Sequence, residues 1–197
     1  MGRRKGDRAR LFVAIDLPDE VREDLGEFLD PRREAAPFPF IASEQWHLTL
    51  AFMAAVDEVA QDALEDGLAS VARRHAPFIA QLGGAGSFPD PTRARVLWLA
   101  MARGDDQVRR LGAAVRTTAV HAGAEVDGRE LIPHLSLARL RRPIEATRWL
   151  RVLDTWTSAA FEVGSFVLIQ SHLGAGARSR PRYDEVARYP LQRPSAG

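Results

Sequence analysis

A histidine–hydroxyl tetrapeptide occurs twice in this chain, as His47-Leu48-Thr49-Leu50 and as His134-Leu135-Ser136-Leu137. Polar and apolar residues alternate in each copy, which is the pattern of a half-buried strand. Residues two apart on a strand share a face. His47 therefore stands beside Thr49, with Leu48 and Leu50 turned toward a core, and His134 stands beside Ser136 in the same way. Two such strands brought together would offer two imidazoles and two hydroxyls to one cleft.

The surroundings of the two copies repeat as well. Leu11–Leu17 reads as a buried strand, and Pro18 opens a helix whose stripe is Val21, Leu25, Phe28 and Leu29. Pro31, Pro37 and Pro39 are expected to end it, and strand His47–Met53 follows. Asp57 suits the cap of a second helix, carrying Ala60, Ala63, Leu64, Leu68 and Val71. Phe78–Leu82 reads as a short strand and Gly83–Arg93 as a Gly/Pro loop. The order then recurs: strand Arg95–Met101, a helix from Asp105 or Asp106, and strand His134–Leu140. Pro143 is expected to open a helix to about Thr157. Strands Phe161–Val163, Phe166–Ser171 and Tyr183–Tyr189 complete the chain, with a Gly/Arg loop at Gly174–Arg182. Leu11 precedes His47 by 36 residues and Leu97 precedes His134 by 37. The spacing predicts an α+β fold of two similar lobes related by a pseudo-twofold, with the two histidine strands at the shared cleft.

At 197 residues the chain can bury a sizeable core in one domain. Residues 1–9 read as a disordered basic arm and 10–197 as a single bilobal domain. The 27 basic and 26 acidic residues nearly cancel, so no global field argues for a long polyanion. Basic residues do cluster at Arg3, Arg4, Lys5, Arg8 and Arg10, and again from Arg178 to Arg182. Without cysteine there is no disulfide and no thiolate metal site. The apolar run Leu11–Ile15 is too short for an export signal and is closed by Asp16. No stretch reaches the roughly 20 apolar residues of a membrane helix. The expectation is a soluble, cytoplasmic monomer.

Paired imidazoles suit general acid–base work, because histidine titrates near neutral pH. Thr49 and Ser136 can donate to phosphate oxygens, and Arg139 can add a guanidinium fork. Arg139 lies five residues past His134, so it needs a bulge or the strand end to reach the cleft. A metal site is the competing use of paired histidines. It lacks a third ligand here, since neither motif brings a carboxylate at i+2 or an HExxH spacing. His75, His121 and His172 have no matching partner and read as structural. Trp98, Trp149 and Trp156 read as core, and Trp46 has the wrong parity to share the face of His47.

With these residues in view, the chain resembles the 2H phosphoesterase superfamily, and within it the bacterial RNA 2′,3′-cyclic phosphodiesterases, historically called 2′-5′ RNA ligases. The matching segments are Arg10–Pro18, His47–Phe52, Arg95–Leu99 and Pro133–Arg139, with Ser171-His172-Leu173, Gly176, Tyr183 and Pro190-Leu191 toward the end. The resemblance implies two antiparallel sheets with helices outside, a central cleft and a reaction without metal or other cofactor. It implies that the partner is RNA or a nucleotide ending in a 2′,3′-cyclic phosphate, opened to the 2′-phosphate. It makes His134 the proton acceptor from water and His47 the proton donor to O3′. Thr49, Ser136 and Arg139 would hold the phosphate, and Phe52 would stack on the terminal base, although strand parity groups Phe52 with Leu48 and Leu50. Ser136 replaces a common threonine, and Met53-Ala54-Ala55 lacks a frequent glycine. A reversible 2′-5′ RNA ligase and a non-catalytic nucleotide- or RNA-binding module are the alternatives.

Overall fold

The computed structural model describes residues 8–176 and 181–193. In chain order these form β1 (Ala9–Asp16), α1 (Asp19–Ala35), β2 (His47–Val56), α2 (Glu58–Arg73), β3 (Phe78–Phe88), β4 (Ala94–Arg103), α3 (Asp105–His121), β5 (Leu135–Ile144), α4 (Thr147–Leu153), β6 (Phe161–Val163), β7 (Ser165–His172) and β8 (Arg182–Pro190). The class is α+β, as the alternation of patterns indicates.

The strands form one antiparallel sheet, not the two expected. Its order is β6-β3-β4-β5-β2-β1-β7-β8. The two inner strands, β5 and β2, carry the motifs and meet through one register pair, Leu48 with Leu135. These leucines occupy the same position in the two tetrapeptides. The loops entering each motif reach across the join: Phe40 bridges to Ala138, and Val126 bridges to Met53.

Alternation sets the layers. Leu11, Val13 and Ile15 of β1 join the main core with Val21, Leu25 and Leu29 of α1 and Leu64, Leu68 and Val71 of α2. Phe12 and Ala14 point the other way and cluster with Val167 and Ile169, with Phe52 and Tyr183 against them. Asp57 caps α2, its carboxylate accepting from the Ala60 amide at 2.9 Å.

Several boundaries differ from the sequence reading, each for a local reason. Pro31 lies inside α1, which runs on to Ala35. The proline lacks an N–H for the preceding turn, but Arg32 stacks on Phe28 at 3.6 Å and donates to its carbonyl. Strand β3 continues through Gly83–Phe88, where a loop is expected. Its glycines serve irregular pairing, with Gly84 at φ +82° inside a register shift. Pro143 lies next to last in β5 instead of opening a helix, and α4 begins at Thr147. The stretch from Arg139 to Ile144 lies opposite only Val96–Ala94, and a bulged strand end tolerates proline. Ala9 is buried in β1, so the boundary of the basic arm falls before it. The rest of that arm lies outside the described residues, Arg8 excepted. Arg178 and Arg180 also lie outside them.

Candidate active site

Strands β2, β5 and β8, with the segments that lead into them, build one pocket of about 170 Å³. It is lined by His47, Thr49, His134, Ser136 and Arg139, with Ile41, Gln45, Pro181 and Tyr183. The Leu48–Leu135 pair explains the convergence. With those leucines opposed and turned to the core, their neighbours all point to the opposite face. His47 and His134 then lie diagonally across the join, and diagonal neighbours on an antiparallel pair are about 7–8 Å apart.

A β-bulge brings in Arg139. The register of β4 on β5 passes from Leu97–Ala138 to Trp98–Ser136, so Leu137 is an extra residue. The shift reverses parity beyond it and returns Arg139 to the face of Ser136. Arg139 Nη2 lies 3.4 Å from Ser136 Oγ. The first motif carries the same bulge: β1 on β2 passes from Val13–Ala51 to Ala14–Thr49, leaving Leu50 extra. That puts Phe52 on the face of His47 and Thr49, against the parity reading. Phe52 does not line the pocket, however. It packs with Phe12 and Tyr183, and Arg10 lies 4.2 Å over its ring.

Helical arginines fix the loops that deliver the histidines. Arg22 of α1 donates to Leu17 O at 3.1 Å and to Ser43 O at 2.5 Å, upstream of His47. Arg109 and Arg116 of α3 donate to Leu131 O at 2.6 Å and Arg129 O at 2.8 Å, upstream of His134. Gln45 Nε2 donates to Pro181 O at 3.0 Å across the pocket rim.

The His134 imidazole is held in a set tautomer. His134 Nδ1 lies 2.7 Å from Ile132 O, so Nδ1 carries the hydrogen and Nε2 is left for the pocket. The Gln45 backbone accepts from the His47 ring, again two residues upstream. Aromatic rings flank both. His47 meets Phe12 at 4.8 Å and Tyr183 at 5.7 Å between centroids. His134 meets Phe88 at 5.1 Å and Trp98 at 5.9 Å. Burial in these cradles pushes His47 down to about 4, against the opposing pull of Gln45 and the Asp16 carboxylate, with Arg139 and Arg22 lowering it further. Burial also lowers His134, helped by Arg139 and opposed by Ile132. Both rings are therefore neutral near pH 7.

Phe12, Phe88, Trp98 and Gln45 were missed as site residues. Trp98 reads as core, yet it borders His134 because it pairs in register with Ser136. Trp46 is fully buried, as parity indicates. His75, His121 and His172 do not line the pocket; His172 pairs with Asp184 at 3.0 Å. A larger open groove of about 530 Å³ runs along α1, where Glu23, Glu27, Asp30 and Glu44 outnumber Arg22 and Arg33. Its acidity disfavours an anion, and it holds none of the motif residues. No helix among the described residues is long and apolar enough to cross a membrane.

Residues 17–175 match the family model described as the 2′-5′ RNA ligase superfamily. A protein of Geobacillus stearothermophilus named RNA 2′,3′-cyclic phosphodiesterase is 28% identical over 93% of this chain, which spans 58% of that relative's length. A protein of the same name from Escherichia coli is 30% identical, covering 92% of this chain and 96% of its own. The crystal structure of E. coli LigT complexed with 3′-AMP superposes with a TM-score of 0.75 at 30% identity, over 95% of this chain and all of that one.

Proposed function

The chain belongs to the 2′-5′ RNA ligase superfamily, and from that footing we propose that it hydrolyses the 2′,3′-cyclic phosphate ends of RNA or nucleotides to 2′-phosphates, without a metal. The observation that carries this is the convergence of His47, His134, Thr49, Ser136 and Arg139 on one pocket.

In the proposed reaction, Thr49, Ser136 and Arg139 hold the non-bridging oxygens of the cyclic phosphate, where charge is concentrated in the transition state. His134 Nε2 is free and unprotonated, so it takes a proton from the attacking water. The water oxygen bonds to phosphorus, the P–O3′ bond breaks, and His47 gives O3′ its proton. The products are a 2′-phosphate and a 3′-hydroxyl, with one water consumed. Burial opposes the charge that His47 needs as donor, and the anionic phosphate works the other way, with Asp16 adding to its pull. Proton uptake by His47 is thus coupled to substrate binding.

The matching positions of the two motifs, the Leu48–Leu135 pairing and the shared bulges support two lobes about a pseudo-twofold, with the pocket at the axis. The near-neutral charge favours recognition of a terminus over a long backbone. We read the protein as a cytoplasmic monomer. The ligase reading is the same ring opening with a 5′-hydroxyl replacing water as the nucleophile, the P–O5′ bond forming as P–O3′ breaks, and the excess of water favours hydrolysis. The test is incubation of a 2′,3′-cyclic-ended oligonucleotide with pure protein in EDTA. Conversion to the 2′-phosphate supports the proposal; persistence of the cyclic ends removes it.

A further inference from the structure

Trp98 belongs to the site through an arrangement that the reaction above does not use. Its indole lies flat over Gly86 on the neighbouring strand: a Cβ at residue 86 would collide with Cη2 and Cζ2 of Trp98. The two residues are register partners on β3 and β4. Phe88, two residues on, stacks at 5.1 Å and 35° against the same indole. Both rings then reach His134, Phe88 edge-on at 85° and Trp98 tilted at 55°. The indole Nε1 is buried with no hydrogen-bond partner.

We infer that Trp98, seated by Gly86, is a positioning residue for His134: with Phe88 it forms a dry wall that fixes the imidazole plane and keeps Nε2 directed at the phosphate. The inference rests on the proposed role of His134 as base. Strands β3 and β4 bring the uncharged rings of Phe88 and Trp98 to this imidazole. The charged or titratable neighbours are Arg139 on its own strand and His47 across the pocket, and Ile132 O holds Nδ1. Removing the wall admits water, which stabilises the imidazolium, so His134 should titrate closer to its ordinary 6.5.

The experiment measures two quantities on Trp98→Ala, Trp98→Phe and Gly86→Ala. Ring NMR titration, assigned with His134→Ala, follows His134 in the protein without substrate. Steady-state kinetics on a nucleoside 2′,3′-cyclic phosphate follows kcat, KM and the acid limb of the pH profile. Trp98→Ala and Gly86→Ala should raise the His134 midpoint, move the acid limb up with it and lower kcat about tenfold or more at little change in KM. Trp98→Phe, which keeps an aromatic wall, should restore both. Gly86→Ala touches neither His134 nor substrate and displaces only the indole; Trp98→Leu serves if either variant does not fold. A His134 midpoint unmoved in folded variants overturns the inference. So does a rise in KM with kcat intact, which would make Trp98 a substrate surface. Because the titration needs no turnover, it stands apart from whether the proposed reaction is right.

Discussion

Asp16 and His47 are register partners across β1 and β2. The carboxylate is held by Arg188 at 2.7 Å and faces Arg22 at 3.9 Å. Its charge is one of the forces that oppose the burial of His47. Asp16→Asn should therefore make His47 harder to protonate. The descending limb of the kcat profile, which reports the substrate-bound enzyme in which the phosphate raises His47, should move to lower pH, with a loss of up to about tenfold at pH 7 for each pH unit of movement. The ascending limb, set by His134, should stay. A descending limb that does not move would separate Asp16 from the proton donor.

His47→Ala and His134→Ala should each lower kcat by about 10²–10⁴. The double variant should lose little beyond the worse single one, because donor and acceptor act on one transition state. Both side chains are partly exposed, so thermal melting at pH 7 should change little. Additive losses in the double variant would mean that the rings act in separate steps.

Arg139→Ala should weaken binding of cyclic substrate and of inorganic phosphate by about 10–100-fold, the worth of a charge-assisted hydrogen bond. Arg139 also lowers both histidines, so both limbs of the pH profile should rise in the variant. Arg139→Lys should recover part of the binding, since it keeps the charge but loses the planar fork. Phosphate inhibition constants and the pH profile check this.

Folding stability should carry the mark of His47. The unfolded chain protonates this residue near 6.5 and the folded chain near 4. As pH falls from 7 to 4, the unfolded state takes up a proton that the folded state refuses. That share of stability is whole above pH 6.5 and is lost on the way down to 4. It amounts to about 3 kcal/mol. Denaturant melts of wild type and His47→Gln should therefore converge, or cross in favour of the variant, as the pH is lowered. A constant gap between the two from pH 7 to 4 would contradict the depressed titration.

The parts of the fold that follow from periodicity could be read in the sequence. The face of β2 up to Leu50, the helix stripes and the Asp57 cap all rest on side-chain periodicity or capping chemistry. So did the pairing of His47 with Thr49 and of His134 with Ser136. What could not be read depends on contacts distant in sequence. The extra residues Leu50 and Leu137 are ordinary leucines, and only the partner strands' register makes them bulges. Hence Phe52 was assigned to the wrong face, and Arg139 lacked a visible route to the pocket. Gly86 looked like loop glycine because the indole it accommodates is twelve residues away on another strand. Pro31 looked like a stop because the stacking of Arg32 on Phe28 has no periodic signature. The single sheet was likewise hidden, because Leu48 and Leu135 are separated by 87 residues.

The claim that two imidazoles act on one phosphorus is tested most directly by a crystal structure with a nucleoside 2′-phosphate bound. Nε2 of His47 and Nε2 of His134 should each lie about 3 Å from that phosphate group or from O3′, on opposite sides of it, with Arg139 on a non-bridging oxygen. A phosphate seated against one ring, with the other beyond hydrogen-bond reach, would contradict the mechanism.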